Sequence, residues 1–132
     1  MRELLAEREV RPLYGQVVAQ DGQTADIPDW ESGDEQTVAS EHAVLVATRS
    51  DQAGNVHVQI LRGEGGPDLG SQVFDGELSV VSGRIVVGSV LAGQILEIET
   101  GKARYVPVKI FVQPAELPER VVVVLGVEEC TT

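Results

Sequence analysis

The segment Gln72-Val73-Phe74-Asp75-Gly76-Glu77-Leu78-Ser79-Val80-Val81-Ser82-Gly83-Arg84-Ile85-Val86-Val87-Gly88-Ser89-Val90 decides the fold class. Two short runs rich in β-branched residues, 72–81 and 85–90, are separated only by Ser82-Gly83-Arg84. Such residues fit a pleated, half-buried surface, and a short glycine turn leaves no room for a crossover helix. Within the first run, Asp75-Gly76 marks a bulge.

The same punctuation extends outward in both directions. Ala92-Gly93 precedes a run at 94–99, and Thr100-Gly101-Lys102 precedes another at 104–112, where Val106, Val108, Ile110 and Val112 share one face. Pro107 lies inside that run and cannot donate to a ladder, so an edge or a bulge is expected there. The proline-punctuated loop 113–119 leads to a closing valine-rich strand at 120–127. Upstream, His42-Ala43-Val44-Leu45-Val46-Ala47-Thr48 is a continuous apolar run, as in a central strand. In 56–62, Val56, Val58 and Ile60 face one side while His57, Gln59 and Leu61 face the other. The turn at 50–55 makes these two runs a hairpin by expectation. Residues 13–19 read as the first strand, opened by Pro12 and ended by Asp21-Gly22. Residues 2–9 read as a short helix or an arm. The whole is one all-β domain over 1–132, an antiparallel β-sandwich of about eight strands, with 1–11 a short helix or arm at its start. A parallel sheet is not expected, because no crossover helix is available.

Composition agrees. A chain of 132 residues can bury a core unaided, and its 42% apolar share is dominated by valine. The lone cysteine, Cys130, excludes an intrachain disulfide and, beside Glu128 and Glu129, has its thiolate disfavoured. No long apolar run marks a membrane span, and the charged start does not suit a signal peptide, so the cytoplasm is the expected compartment.

The net charge is -11, which disfavours nucleic acid and anionic membranes as partners and favours basic ones. The charge is unevenly placed. No Lys or Arg occurs between Pro12 and Thr48, and this stretch contains Asp26-Ile27-Pro28-Asp29-Trp30-Glu31-Ser32-Gly33-Asp34-Glu35, with the chain's only tryptophan. It has no steady period and reads as a long loop, with a turn of helix near 35–38. Long loops of this kind are usually functional. Asp26, Asp29, Trp30, Glu31, Asp34 and Glu35 are therefore the candidate partner-binding residues. Trp30 serves either as an apolar interface anchor ringed by charge or as a lid packed on the sandwich.

Other chemistries fit less well. His42 and His57 have no nucleophile motif nearby and are not placed to share a metal. The glycine-rich stretch 63–70 is followed by a strand and lacks the Lys-Ser or Lys-Thr of a phosphate loop. An aromatic share of 4% does not suit a sugar cleft. No catalytic residue, metal ligand or cofactor is assigned. A C2-like calcium module, using the acidic loop as hard oxygen donors, is one alternative. A structural protein that self-assembles into oligomers through valine-rich edges, with 104–112 as one such edge, is another.

The order of features resembles the competence protein J family, inhibitors of the bacterial DNA-entry nuclease. The resemblance is carried by Leu13-Tyr14-Gly15-Gln16, by Asp29-Trp30 in an acidic loop, by 43–48 and 56–60, and by Val73-Phe74-Asp75-Gly76. It continues through 82–89 and Gly101-Lys102-Ala103-Arg104-Tyr105-Val106-Pro107-Val108. It implies an acidic cytoplasmic protein that binds a nuclease and blocks its DNA site. The candidate residues above rest on charge, not on the resemblance.

Overall fold

The computed structural model describes residues 3–23, 28–30, 32, 35–90, 92–101 and 104–126. They form ten strands: β1 (Glu3–Val10), β2 (Gln16–Asp21), β3 (Thr37–Ala39), β4 (Ala43–Ala47), β5 (Val56–Arg62), β6 (Ser71–Ser79), β7 (Arg84–Ser89), β8 (Gln94–Glu99), β9 (Tyr105–Gln113) and β10 (Arg120–Leu125). Sheet A has the order β1-β5-β10-β9-β6 and sheet B the order β3-β4-β2-β7-β8. Alternation along each strand sends one set of side chains into a shared core. Val58, Ile60, Val108, Ile110 and Val123 from sheet A meet Val17, Val44, Ile85 and Val87 from sheet B. Each of these is at most 1% exposed, and full burial of such a side chain contributes roughly 1.5–3 kcal/mol.

Several expectations are corrected. Residues 3–10 are a strand, not a helix or an arm, because Val10 enters the core and the backbone pairs antiparallel with β5. Residues 13–15 form a 3-10 turn, so the strand opens only at Gln16. The segment near 37–39 is the edge strand β3, not a turn of helix. β4 and β5 are not a hairpin: β4 lies between β2 and β3, whereas β5 lies between β1 and β10. Their connection crosses between sheets and is pinned by Arg49, which donates from Nε to the Asn55 carbonyl (3.0 Å) and pairs with Glu119 (3.1 Å). β5 and β10 run parallel, with Val121 opposite Val58. The crossover between them is made of strands β6 to β9, so no helix is needed. β9 is an inner strand, flanked by β10 and β6. Pro107 is tolerated there because it sits just beyond the β10 ladder, where its carbonyl accepts from Gly126 N–H (2.8 Å). The expected bulge in β6 falls between Gln72 and Phe74.

The four edges are restrained. β1 is bulged between Leu4 and Ala6 and is latched to β8, where Arg8 donates to the Ile95 carbonyl (3.3 Å). At the opposite corner the Thr37 hydroxyl of β3 donates to the Val73 carbonyl of β6 (3.3 Å). Short, bulged or covered edges resist strand addition.

Candidate partner-binding face

The outward side of sheet B follows from register. In β2, Val17, Ala19 and Asp21 point to the core, so Gln16, Val18 and Gln20 point out. One row across this face runs Val38, Leu45, Val18, Gly88 and Ile95, and the next runs Ala43, Gln20, Val86 and Glu97. The middle of the face is thus apolar. Exposed Glu97 and Glu99 lie at its β8 margin.

The acidic stretch leaves β2 after Asp21 at one end of the sheet. It reaches Gln36 at the other, where the Gln36 carbonyl accepts from Ala47 N–H (2.9 Å). It therefore has to travel the length of the sheet, and Trp30 fixes where. The half-buried indole packs on Val18, Ala43 and Leu45, and its Nε1 donates to Gln16 Oε1 at 2.8 Å. Asp29, next to it, is exposed. The Glu35 carboxylate accepts from Ser32 N–H (2.9 Å) and from the Ser32 hydroxyl. Of the six residues singled out by charge, Asp29, Trp30 and Glu35 are placed; Asp26, Glu31 and Asp34 lie outside the described residues, as does Cys130. Trp30 is a clasp on the outer face, not a cap over the end of the core.

Beside the indole lies a hollow of about 190 Å³. Val18 and Leu45 make its floor, and Gly88, opposite Val18 in the register, also lines it. Leu13 and Val90 form walls, and Gln16, Gln20 and Ser89 supply polar atoms. Tyr14 stands next to Leu13 with 83% of its surface exposed and a backbone φ of 62°. A left-handed, solvent-facing tyrosine is costly for the fold alone, and such outliers gather at functional positions. Charge did not single out these residues; the signal available was an aromatic before a glycine, Tyr14-Gly15, at a strand entrance.

The far end of sheet B holds a polar knot. Asp21 is fully buried, and its Oδ1 accepts from Ser82 N–H (3.0 Å) and from the Ser82 hydroxyl (2.5 Å). The histidines have local partners: His42 Nδ1 lies 3.0 Å from the Ser79 carbonyl, and His57 Nε2 lies 2.8 Å from Glu7 Oε1. Among the described residues no three His, Cys, Asp or Glu side chains gather as a metal set.

The fold is an all-β assembly of two mostly antiparallel five-stranded sheets carrying an acidic strap on one outer face. No family model and no curated protein matches the chain. Among solved structures it is similar to ComJ, inhibitor of the DNA degrading activity of NucA, from Bacillus subtilis. The TM-score is 0.73 at 15% identity, over 96% of this chain and 98% of that one. At that identity the likeness concerns the fold.

Proposed function

We propose that this chain is an acidic, inhibitor-type binding protein that occludes the basic active site of a nuclease. The observation that carries the reading is the strap between Asp21 and Gln36, which lies within a stretch free of Lys and Arg from Pro12 to Thr48 and is docked on one outer face by Trp30. A nuclease presents positive charge to phosphates, so a negative face of this kind steers encounter and competes with DNA for the same surface. The fold it shares with ComJ, whose partner is a DNA-degrading enzyme, supports the choice of nuclease over other basic proteins. The protein acts by steric occlusion, with no chemistry of its own, and the cytoplasm is its place of action. The contact set is Asp26, Asp29, Trp30, Glu31, Asp34 and Glu35. Capture from native lysate on the tagged chain should recover a basic DNA-degrading enzyme whose activity falls as free chain is added. If no nuclease activity is captured, or if captured activity is unaffected by excess chain, the reading is wrong.

A further inference from the structure

We infer that the hollow beside Trp30 is the anchor point of the interface, and that it receives one apolar side chain carried on a Lys/Arg-rich segment of the partner. The inference rests on the proposed binding function and adds to it which surface makes the contact.

The size of the hollow selects the occupant. An apolar cavity of about 150 Å³ admits benzene, whereas cofactor and drug pockets begin near ~300 Å³. At about 190 Å³, with Val18 and Leu45 as its floor, the hollow fits a phenyl or isobutyl group and is small for a cofactor. Charge selects what carries that group. Asp29 is exposed on the strap to one side, Glu97 and Glu99 are exposed on β8 to the other, and none of the described residues lining the hollow is charged. A segment laid across the face therefore meets carboxylates at both margins and an apolar socket between them, which suits cations flanking an apolar residue. A second copy of this chain would bring a net charge of -11 to the same place.

Val90, which lines the hollow, and Tyr14, which follows the lining residue Leu13 in the chain, are both exposed. Tyr14 is 83% exposed in a left-handed conformation, and Val90 is 46% exposed at the end of β7. Aromatic residues held rigidly at the margin of a socket are typical interface anchors. Trp30 neighbours the socket, since its indole is bonded to Gln16 and packs on Val18 and Leu45, all three of which line it.

The test uses the full-length, isotope-labelled chain and two defined probes, the amidated peptides Lys-Lys-Phe-Lys-Lys and Lys-Lys-Ala-Lys-Lys, with binding followed by methyl NMR. The Phe peptide should shift Val18, Leu45 and Val90 and bind on the order of tenfold more tightly than the Ala peptide. Val90→Ser and Tyr14→Gly should each remove most of that preference. The Tyr14→Gly protein should melt at or above the wild-type temperature, because glycine relieves the left-handed backbone. Equal, salt-sensitive binding of both peptides, with shifts confined to the strap, overturns the socket and leaves the acidic binding reading in place. Binding of neither peptide at millimolar concentration overturns both. Concentration-dependent shifts of the same methyls without peptide assign the socket to a second copy and overturn the inference as well.

Discussion

Trp30 and Gln16 are joined side chain to side chain, indole Nε1 to amide Oε1 at 2.8 Å, so the acidic strap is fastened to the first residue of β2. The link has a second consequence. Gln16 follows the left-handed Tyr14 by two residues, so the entrance to β2, the strap and the hollow beside them form one mechanical unit.

Loss of the Gln16 acceptor should loosen that unit without unfolding the sheets. Gln16→Ala is expected to cost about 1 kcal/mol, the net worth of one hydrogen bond at a half-buried site. Because Trp30 is the only tryptophan, its fluorescence reports the strap directly. Emission should shift to longer wavelength as the indole hydrates, while far-ultraviolet circular dichroism stays unchanged. An unaltered emission maximum would show that packing on Val18, Ala43 and Leu45 is sufficient by itself.

Trp30→Ala and Asp29→Lys should separate the two jobs of the strap in partner binding. Truncating the indole removes both the clasp and a wall of the face, and should raise the dissociation rate and lower affinity by at least tenfold. Reversing Asp29, which is exposed, should mainly slow association and flatten its dependence on salt. Surface plasmon resonance against the captured nuclease at several ionic strengths gives both rates. Identical kinetic signatures for the two variants would contradict this division.

The strand content was legible wherever β-branched residues met glycine turns, as at Ile85 to Gly88, because local patterning and tertiary packing agree there. Alternation also assigned the faces of β5 and β9 correctly: Val58, Ile60, Val108 and Ile110 are all in the core. Pairing was less legible. Val44 and Val58 look like hairpin neighbours in sequence, yet they lie on opposing sheets, since strand partners depend on closing the core and not on turn length alone. β1 is hard to read from sequence because this edge strand carries charge on half of its positions; Leu5 and Val10 are its only apolar residues facing the core. For the candidate site, composition marked the strap, but nothing in it shows that Trp30 lies on the outer face of sheet B. The socket was hidden altogether, since its lining residues are brought together only by a register that the folded sheet defines.

Neighbouring positions in β9 should differ sharply in tolerance. Ile110 is fully buried in the shared core, whereas Lys109, one residue earlier, is exposed on the opposite face. Ile110→Ala is expected to cost 2–5 kcal/mol through lost transfer energy and a residual cavity, and Lys109→Ala to stay within about 0.5 kcal/mol of wild type. Urea denaturation with unchanged m-values would measure both. Comparable losses at the two sites would mean that β9 is not the inner strand described.

The buried pair at the far end of sheet B should behave as one unit. Asp21 occupies a core-facing position in line with Val17 and Ala19, and the two donors of Ser82 supply the hydrogen bonds to its Oδ1. Its Oδ2 has no hydrogen-bond partner among the described residues. Ser82→Ala deletes the hydroxyl and leaves the backbone N–H, so the carboxylate becomes still less satisfied, at a cost of about 1–3 kcal/mol. Asp21→Ala removes the group that needs satisfying, but leaves a cavity at a fully buried position. In the double variant no carboxylate remains for the missing hydroxyl to serve. Its loss should therefore fall short of the sum of the single losses by 0.5 kcal/mol or more, the range found for contacting groups. Strict additivity in the four-protein cycle, read by denaturant unfolding, would show that Ser82 stabilises the turn into β7 through its contacts with the Arg84 backbone and not through Asp21.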